Sequence, residues 1–135
     1  MPVTRSPLGD PRDGRDTDLT GRRVRRREPA ATSRFTELHH ALIARVLHGE
    51  GKAPTAVRRA AFDAVGLDEP MRTLVDKVSY CAHLITDADV AALRTAGRSE
   101  DEVFEIVVCA AIGQATRQYQ SALAALATAT KADGR

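Results

Sequence analysis

Cys81 and His83 are the pair of side chains in this 135-residue chain with the clearest chemical reactivity. Lys77 lies four residues before Cys81, and a nearby ammonium lowers the pKa of a thiol. On a helix, residues two apart point about 200° away from each other, so the spacing favours Lys77 over His83 as the partner of the thiol. We therefore treat Cys81, Lys77 and His83 as candidate catalytic residues. The alternative is a half-buried structural cysteine.

Gln114 and Arg117 form a second candidate site, for binding. They are three residues apart and follow the most apolar part of the chain, so they could together hold a carboxylate or an ordered water. The alternative is a buried, hydrogen-bonded glutamine beside ordinary surface. The other cysteine, Cys109, lies in an apolar run and is predicted to be a small core residue.

Glu37 and His40 have the spacing of one half of a dinuclear carboxylate–histidine site. A complete site needs two such motifs and two further carboxylates. Because the sequence holds one copy, we predict no metal and no cofactor.

The elements that must position these residues are predicted to be helices, because apolar residues recur at three- and four-residue spacing. The composition agrees: the chain has no Trp, two Tyr and three Phe, so its core must consist of Leu, Val, Ile and Ala. The sequence predicts an all-α bundle of about five helices. Their expected limits are Ser33 to Gly49, Thr55 to Gly66, Asp68 to Ile85, Thr86 to Gly97, and Ser99 to about Thr128. Thr55 is the expected N-cap of the second helix and Gly66 its left-handed C-cap. Thr86 with Asp89, and Ser99 with Glu102, have the spacing of capping boxes at the starts of the last two helices.

The fifth predicted helix is long and, over residues 103–113, apolar nearly all round apart from Glu105. Such a helix is expected to be buried on every side, which needs more cover than four short helices supply. We therefore expect a homo-oligomer. Four small residues would allow close helix approach in it: Ala110, Ala111, Gly113 and Ala115.

The composition divides the chain into residues 1–31, a disordered basic arm; residues 32–130, the helical domain; and residues 131–135, a disordered tail. Arginines cluster at residues 21–27, but no aromatic residue interleaves with them, so nucleic acid is not an expected partner. The alternative is a functional arm that tethers the oligomer to nucleic acid or to an acidic partner. The longest uncharged apolar run, residues 106–113, is far short of the roughly 20 residues that cross a membrane. We expect a soluble, cytoplasmic protein, and the richness in Arg and Ala favours a bacterial origin.

The stretch from Lys77 to Glu105 contains a short helix, Gly97, the cap Ser99-Glu100-Asp101 and the start of a long apolar helix. This pattern resembles the alkylhydroperoxidase D and carboxymuconolactone decarboxylase superfamily. The resemblance implies an all-helical, alkylhydroperoxidase D-like fold that assembles into trimers or hexamers.

The peroxidase branch of that superfamily carries a C-x-x-C pair followed four residues later by His, and this chain departs from the pattern. Val78 and Leu84 stand three residues from Cys81, and Ile85 stands where the His would follow. The resemblance therefore implies a member without the redox dithiol: an oligomer with a small-molecule pocket or a nonenzymatic binding role. The alternative is a one-cysteine peroxidase or thiol oxidoreductase that uses Cys81.

Overall fold

The computed structural model describes residues 29–134, with side chains from residue 34 onward. The predicted basic arm, including its arginine cluster, lies outside the described residues except for its last three, which belong to the first helix. All secondary structure in residues 29–134 is helical, which confirms the all-α class. The helices are α1 (Pro29–His48), α2 (Thr55–Asp63), α3 (Met71–Tyr80), α4 (Asp87–Thr95) and α5 (Glu100–Asp133), with a short 3-10 turn (Ala82–Leu84) between α3 and α4.

Helix α1 begins at Pro29, four residues before the predicted Ser33. Proline suits this position because its fixed φ angle matches a helix. It also lacks an N–H group, and N–H groups in the first turn have no intrahelical acceptor. A folded unit begins at Thr36, and within it Leu47 is fully buried while Leu38 and Leu42 are exposed. Within this unit, the buried apolar side chain of α1 therefore lies near the C-terminal end of the helix.

The two ends of α2 differ from the prediction by one or two residues. Thr55 is the first helical residue and Pro54 precedes it as the N-cap, so Thr55 does not cap the helix. At the other end Ala64, rather than Gly66, is the C-cap in the left-handed conformation, with φ of 54°. Gly66 also has a positive φ, of 70°, and forms the turn that follows. Glycine adopts this conformation without strain, which is why it was the expected cap.

The starts of α4 and α5 confirm the two predicted capping boxes. The Thr86 N–H donates to Asp89 Oδ2 at 2.8 Å, and the Ser99 N–H donates to Glu102 Oε2 at 2.7 Å. Between them Gly97, with φ of 96°, ends α4 as predicted. Its N–H donates to the carbonyl of residue 94 and the next N–H to that of residue 93, both near 3 Å, which satisfies the last carbonyls of the helix.

Helix α5 has 34 residues, about 51 Å at 1.5 Å per residue, and runs through residues 131–133 that the sequence assigns to a tail. In the single chain the first half of this helix is not buried on every side, because the Phe104 side chain is 68% exposed. One face of this half is buried instead. The buried face comprises Val103, Ile106, Cys109, Ala110 and Gly113.

The buried face of α5 packs chiefly against α2, and then against α3 and α4. At the contact with α2, a Cβ atom on Gly113 would lie 2.0 Å from the carbonyl oxygen of Phe62, so the two backbones touch. Ala110 is fully buried too, whereas Ala111 and Ala115 are exposed. Of the four small residues expected between subunits, Gly113 and Ala110 therefore pack within the chain.

Candidate functional site

Cys81 and His83 lie where α3 has already ended. Cys81 is the C-cap, with φ −153° and ψ 57°, and its N–H donates to the Lys77 carbonyl at 2.9 Å. His83 sits in the following 3-10 turn and is exposed. The predicted continuation of this helix to Ile85 is wrong, because the capping box of α4 requires an extended segment and Ile85 supplies it. The helical angle that separated Cys81 from His83 in the sequence therefore does not apply.

Lys77, the predicted partner of Cys81, binds Asp89 instead. The Lys77 ammonium lies 2.9 and 2.8 Å from the two carboxylate oxygens of Asp89, which joins α3 to α4. This ammonium, followed by the Thr86 N–H, holds the pKa of Asp89 below its usual range. The positive charge that was expected to activate the Cys81 thiol is thus balanced by a carboxylate.

Cys109 is a core residue, as the sequence predicts. Its side chain is buried, and its sulfur lies 3.7 Å from the carbonyl oxygen of Val46. Burial raises the pKa of the Cys109 thiol, which outweighs the opposite effect of the Arg58 charge. Cys81 is half-buried, and both cysteines are free thiols. Cys109 is therefore a poor nucleophile.

Gln114 and Arg117 form the hydrogen-bonded pair that their spacing predicts, but the pair binds other groups of the protein rather than leaving a site for a ligand. Arg117 Nη2 donates to Gln114 Oε1 at 3.0 Å, and Arg117 Nη1 donates to the carbonyl oxygen of Phe62 in the last turn of α2. The guanidinium satisfies a carbonyl at the end of α2, where no intrahelical donor is available. It binds the protein's own backbone at the position proposed for a ligand.

A buried polar network, which the sequence analysis missed, joins α1, α2 and α5. Arg58 is 6% exposed and donates to the carbonyl oxygens of Gly49 at 2.8 Å, Ala53 at 3.1 Å and Val46 at 3.2 Å. A signal was present, because Arg58 stands three and four residues before the buried Ala61 and Phe62 and so shares their face of α2.

Glu105 holds the same loop from the α5 side. Its two carboxylate oxygens accept the N–H groups of Lys52 and Ala53, each at 2.7 Å. Burial alone would raise the pKa of Glu105, but these two N–H groups and the charges of Arg58 and Lys52 outweigh it and lower the pKa. Glu105 is thus ionised and holds the loop between α1 and α2 in place.

The residues proposed as half of a metal site lie on α1. His39, beside them, has its Nε2 atom 3.2 Å from Thr116 Oγ1, and its ring centroid is 5.8 Å from that of Tyr119. Glu37 and His40 are exposed. Within residues 29–134 no group of three or more His, Cys, Asp or Glu side chains is arranged to hold a metal ion.

An open cleft of about 350 Å³ lies between α2, the turn that follows it, and α4. None of the five predicted site residues lines it. Its walls are mostly apolar, and three charged residues stand among them. The lining residues are Ala56, Val57, Ala60, Gly66, Leu67, Asp68, Glu69, Pro70, Met71, Leu93, Ala96 and Arg98.

The charged residues of the cleft carry a net negative charge. Asp68 and Glu69 are exposed, and Glu69 Oε2 accepts the Thr73 hydroxyl at 2.7 Å, which fixes its position. Arg98 is half-buried and lies 3.5 Å from the Glu102 carboxylate, which balances its charge. The cleft can therefore accept an apolar body and attract a positively charged group.

Comparison with models of protein families gave no match, and no curated protein or solved structure was found to be similar to the chain. None of the helices in the described part of the chain is long and apolar enough to cross a membrane.

Proposed function

We propose that this chain is a relative of the alkylhydroperoxidase D and carboxymuconolactone decarboxylase superfamily that has no redox dithiol and binds a small molecule in the α2–α4 cleft. The cleft carries the proposal. Its volume lies in the range of small-ligand pockets, and it is lined mainly by apolar side chains with a few charged groups. The burial of Cys109 also supports a role other than thiol exchange.

The ligand proposed for the cleft is a small apolar amine. Leu67 and Leu93 give the cleft a buried apolar wall, while the exposed carboxylates of Asp68 and Glu69 attract a cation. The carboxylates of Asp68 and Glu69 would repel an anion. Arg98 would attract an anion only weakly, because its guanidinium is already paired with the Glu102 carboxylate.

Benzylamine and benzoate are a matched pair of probes for this proposal. NMR titration should show that the wild-type protein binds benzylamine more tightly than benzoate. Asp68→Asn should weaken benzylamine binding by about threefold to tenfold, as expected for loss of one partly exposed ionic contact. Asp76→Asn, which removes an exposed carboxylate of α3 outside the cleft, should leave the affinity unchanged.

A second variant tests the cleft by volume rather than by charge. Ala60→Trp should fill the cleft and abolish benzylamine binding, whereas Ala88→Trp, on an exposed position of α4, should not. Far-UV circular dichroism checks that both variants remain helical. Equal benzylamine affinity in the wild type, Asp68→Asn and Ala60→Trp would overturn the proposal.

The second candidate function is a one-cysteine peroxidase that uses Cys81. The observation that favours it is the end of α3 at Tyr80, which leaves Cys81 and His83 in an irregular segment where their side chains are not held on opposite helix faces. In such a reaction the Cys81 thiolate attacks a peroxide and forms a sulfenic acid and an alcohol, and an external thiol then reduces the sulfenic acid. His83 would assist, since Lys77 is bound to Asp89.

A cytoplasmic homo-oligomer belongs to the proposal, with the trimers or hexamers of the superfamily as its expected forms. The support comes from large apolar side chains that the single chain leaves exposed on α5. These are Phe104, Tyr119, Leu123 and Leu126.

A further inference from the structure

Seven residues of α5 form a continuous apolar surface, which we call the α5 stripe. At about 100° per residue they fall within an arc of about 80°, on the side of the helix opposite its buried face. Val108 is half-buried and the other six are exposed, with Phe104 at 68% and Leu126 at 63%. The α5 stripe consists of Phe104, Val108, Ala111, Ala115, Tyr119, Ala122 and Leu126.

The α5 stripe has an eleven-residue interval, since Phe104, Ala115 and Leu126 follow one another at steps of eleven residues. An eleven-residue repeat has about 3.67 residues per turn, close to the 3.6 of a straight helix, so the stripe stays on one face. It is about 33 Å long, and with a helix width of about 10 Å it covers on the order of 300 Å². Apolar patches of this size on a protein surface are often functional.

The α5 stripe is symmetric about Ala115. Three pairs of its residues lie at equal distances in sequence on either side: Ala111 with Tyr119, Val108 with Ala122, and Phe104 with Leu126. If two copies of α5 pack antiparallel with Ala115 at the centre, each of these pairs meets across the interface. Tyr119 then faces Ala111, Val108 faces Ala122, and the backbones approach most closely at Ala115.

We propose that the α5 stripe binds the α5 stripe of a second copy, antiparallel, about a two-fold axis at Ala115. The contact is self-complementary, as a two-fold interface must be. Charge supports this direction, because α5 has three acidic residues in its first turn and Lys131 in its last turn. Antiparallel packing brings the acidic turn of one helix beside the basic turn and the negative dipole end of the other.

A parallel pair is the competing arrangement, and the same residues argue against it. It would place Tyr119 against Tyr119, while Ala111 faced Ala111 and left a gap between them. It would also bring the two acidic first turns together. Large side chains opposite small ones fill space better than alternating clashes and gaps.

The proposed pairing rests on the homo-oligomer in the proposed function, and light scattering coupled to size exclusion tests the two separately. Of the expected forms, a hexamer can contain two-fold axes and a trimer cannot, so the stripe pairing requires a hexamer or a dimer. Ala115→Glu places a charge at the centre of the stripe and should halve the native mass. Ala124→Glu is the matched control, because Ala124 is exposed on the opposite side of the same helix. It should leave the mass unchanged, and both variants should keep the helicity of the wild type. An oligomer whose mass Ala115→Glu does not change would overturn the stripe pairing alone, and a monomeric wild type would overturn both.

Cross-linking tests the direction of the helices. In a Cys81→Ser background, Phe104→Cys and Leu126→Cys proteins should form a disulfide when mixed and oxidised, since these positions meet in the antiparallel pair. Phe104→Cys alone should not cross-link, because its two copies would lie about 33 Å apart. Efficient cross-linking of Phe104→Cys to itself, with none to Leu126→Cys, would contradict the antiparallel arrangement.

Discussion

The Arg58 guanidinium lies in the core without a direct carboxylate contact in the described structure, bound to backbone carbonyls instead. Its acceptors are the carbonyl oxygens of Val46, Gly49 and Ala53, in the last turn of α1 and the loop behind it. Carbonyls at the end of a helix have no intrahelical donors, and buried ones destabilise a protein when they are left unpaired. Arg58 thus fixes the connection from α1 to α2.

Arg58→Met should lower the free energy of unfolding by about 1–3 kcal/mol, because methionine fills the volume but leaves carbonyls without donors. Arg59→Met is the matched control at the neighbouring position, where the arginine is exposed and pairs with Asp63 along the helix at 3.1 Å. It should cost less than about 0.5 kcal/mol. Urea denaturation measures both, and equal losses would show that Arg58 has no special role.

The Glu105 carboxylate gives the protein a component of stability that depends on pH. The pKa of Glu105 is lower in the folded protein than in the unfolded chain, where a glutamate has a pKa of about 4.3. The carboxylate therefore contributes fully to folding stability above that unfolded value. This contribution is lost as the pH falls through the lower folded pKa. Glu105→Gln should reduce stability by about 1 kcal/mol at pH 7, a modest amount because the carboxylate is partly exposed. The difference from the wild type should shrink below about pH 4.

Denaturation of the two proteins at pH 7, 5 and 3 checks this dependence. The control is Glu50→Gln, which changes an exposed carboxylate in the same loop and should shift stability by less than about 0.5 kcal/mol. A difference between the wild type and Glu105→Gln that grows as the pH falls would refute the assignment.

At the scale of elements, the contact between α2 and α5 depends on the absence of a side chain. A Cβ on Gly113 would overlap the Phe62 carbonyl at 2.0 Å, so a methyl group must push the two helices apart. Gly113→Ala should therefore destabilise the protein by about 1–3 kcal/mol, although alanine is the better helix former. Gly134→Ala, whose Cβ would have no neighbour closer than 3.6 Å, should be nearly neutral. Thermal unfolding that ranks the two variants equally would contradict this account of the contact.

The elements that the sequence predicts correctly are those whose ends depend on local hydrogen bonds. The capping boxes of Thr86 and Ser99 are closed within four residues, so their residue types are sufficient to locate them. The end of α3 at Tyr80 is different. No glycine or proline marks it, and the Lys77–Asp89 ion pair that joins α3 to α4 across this break is a contact between two helices. Local patterns contain no information about such a contact.

At the scale of the whole molecule, local sequence patterns predict the fold better than they predict the site. The class and the order of the helices follow from apolar spacing, and the spacing of Gln114 and Arg117 predicts their hydrogen bond. The direction of Arg117 towards α2 does not follow from it, nor does the α2–α4 cleft, since both are made by residues far apart in sequence. The cleft and the α5 stripe, rather than the cysteine that first suggested chemistry, are the surfaces on which the proposed function rests.

We propose that this protein binds a small molecule and does not turn over peroxides through its thiols. The most direct measurement is peroxide consumption in the presence of an external thiol, with wild-type protein, Cys81→Ser and Cys109→Ser side by side. We expect the wild type to consume peroxide no faster than Cys81→Ser, because Lys77 is paired with Asp89 and Cys109 is buried with a raised pKa. Catalytic turnover by the wild type that Cys81→Ser abolishes and Cys109→Ser preserves would contradict the claim and establish the one-cysteine peroxidase.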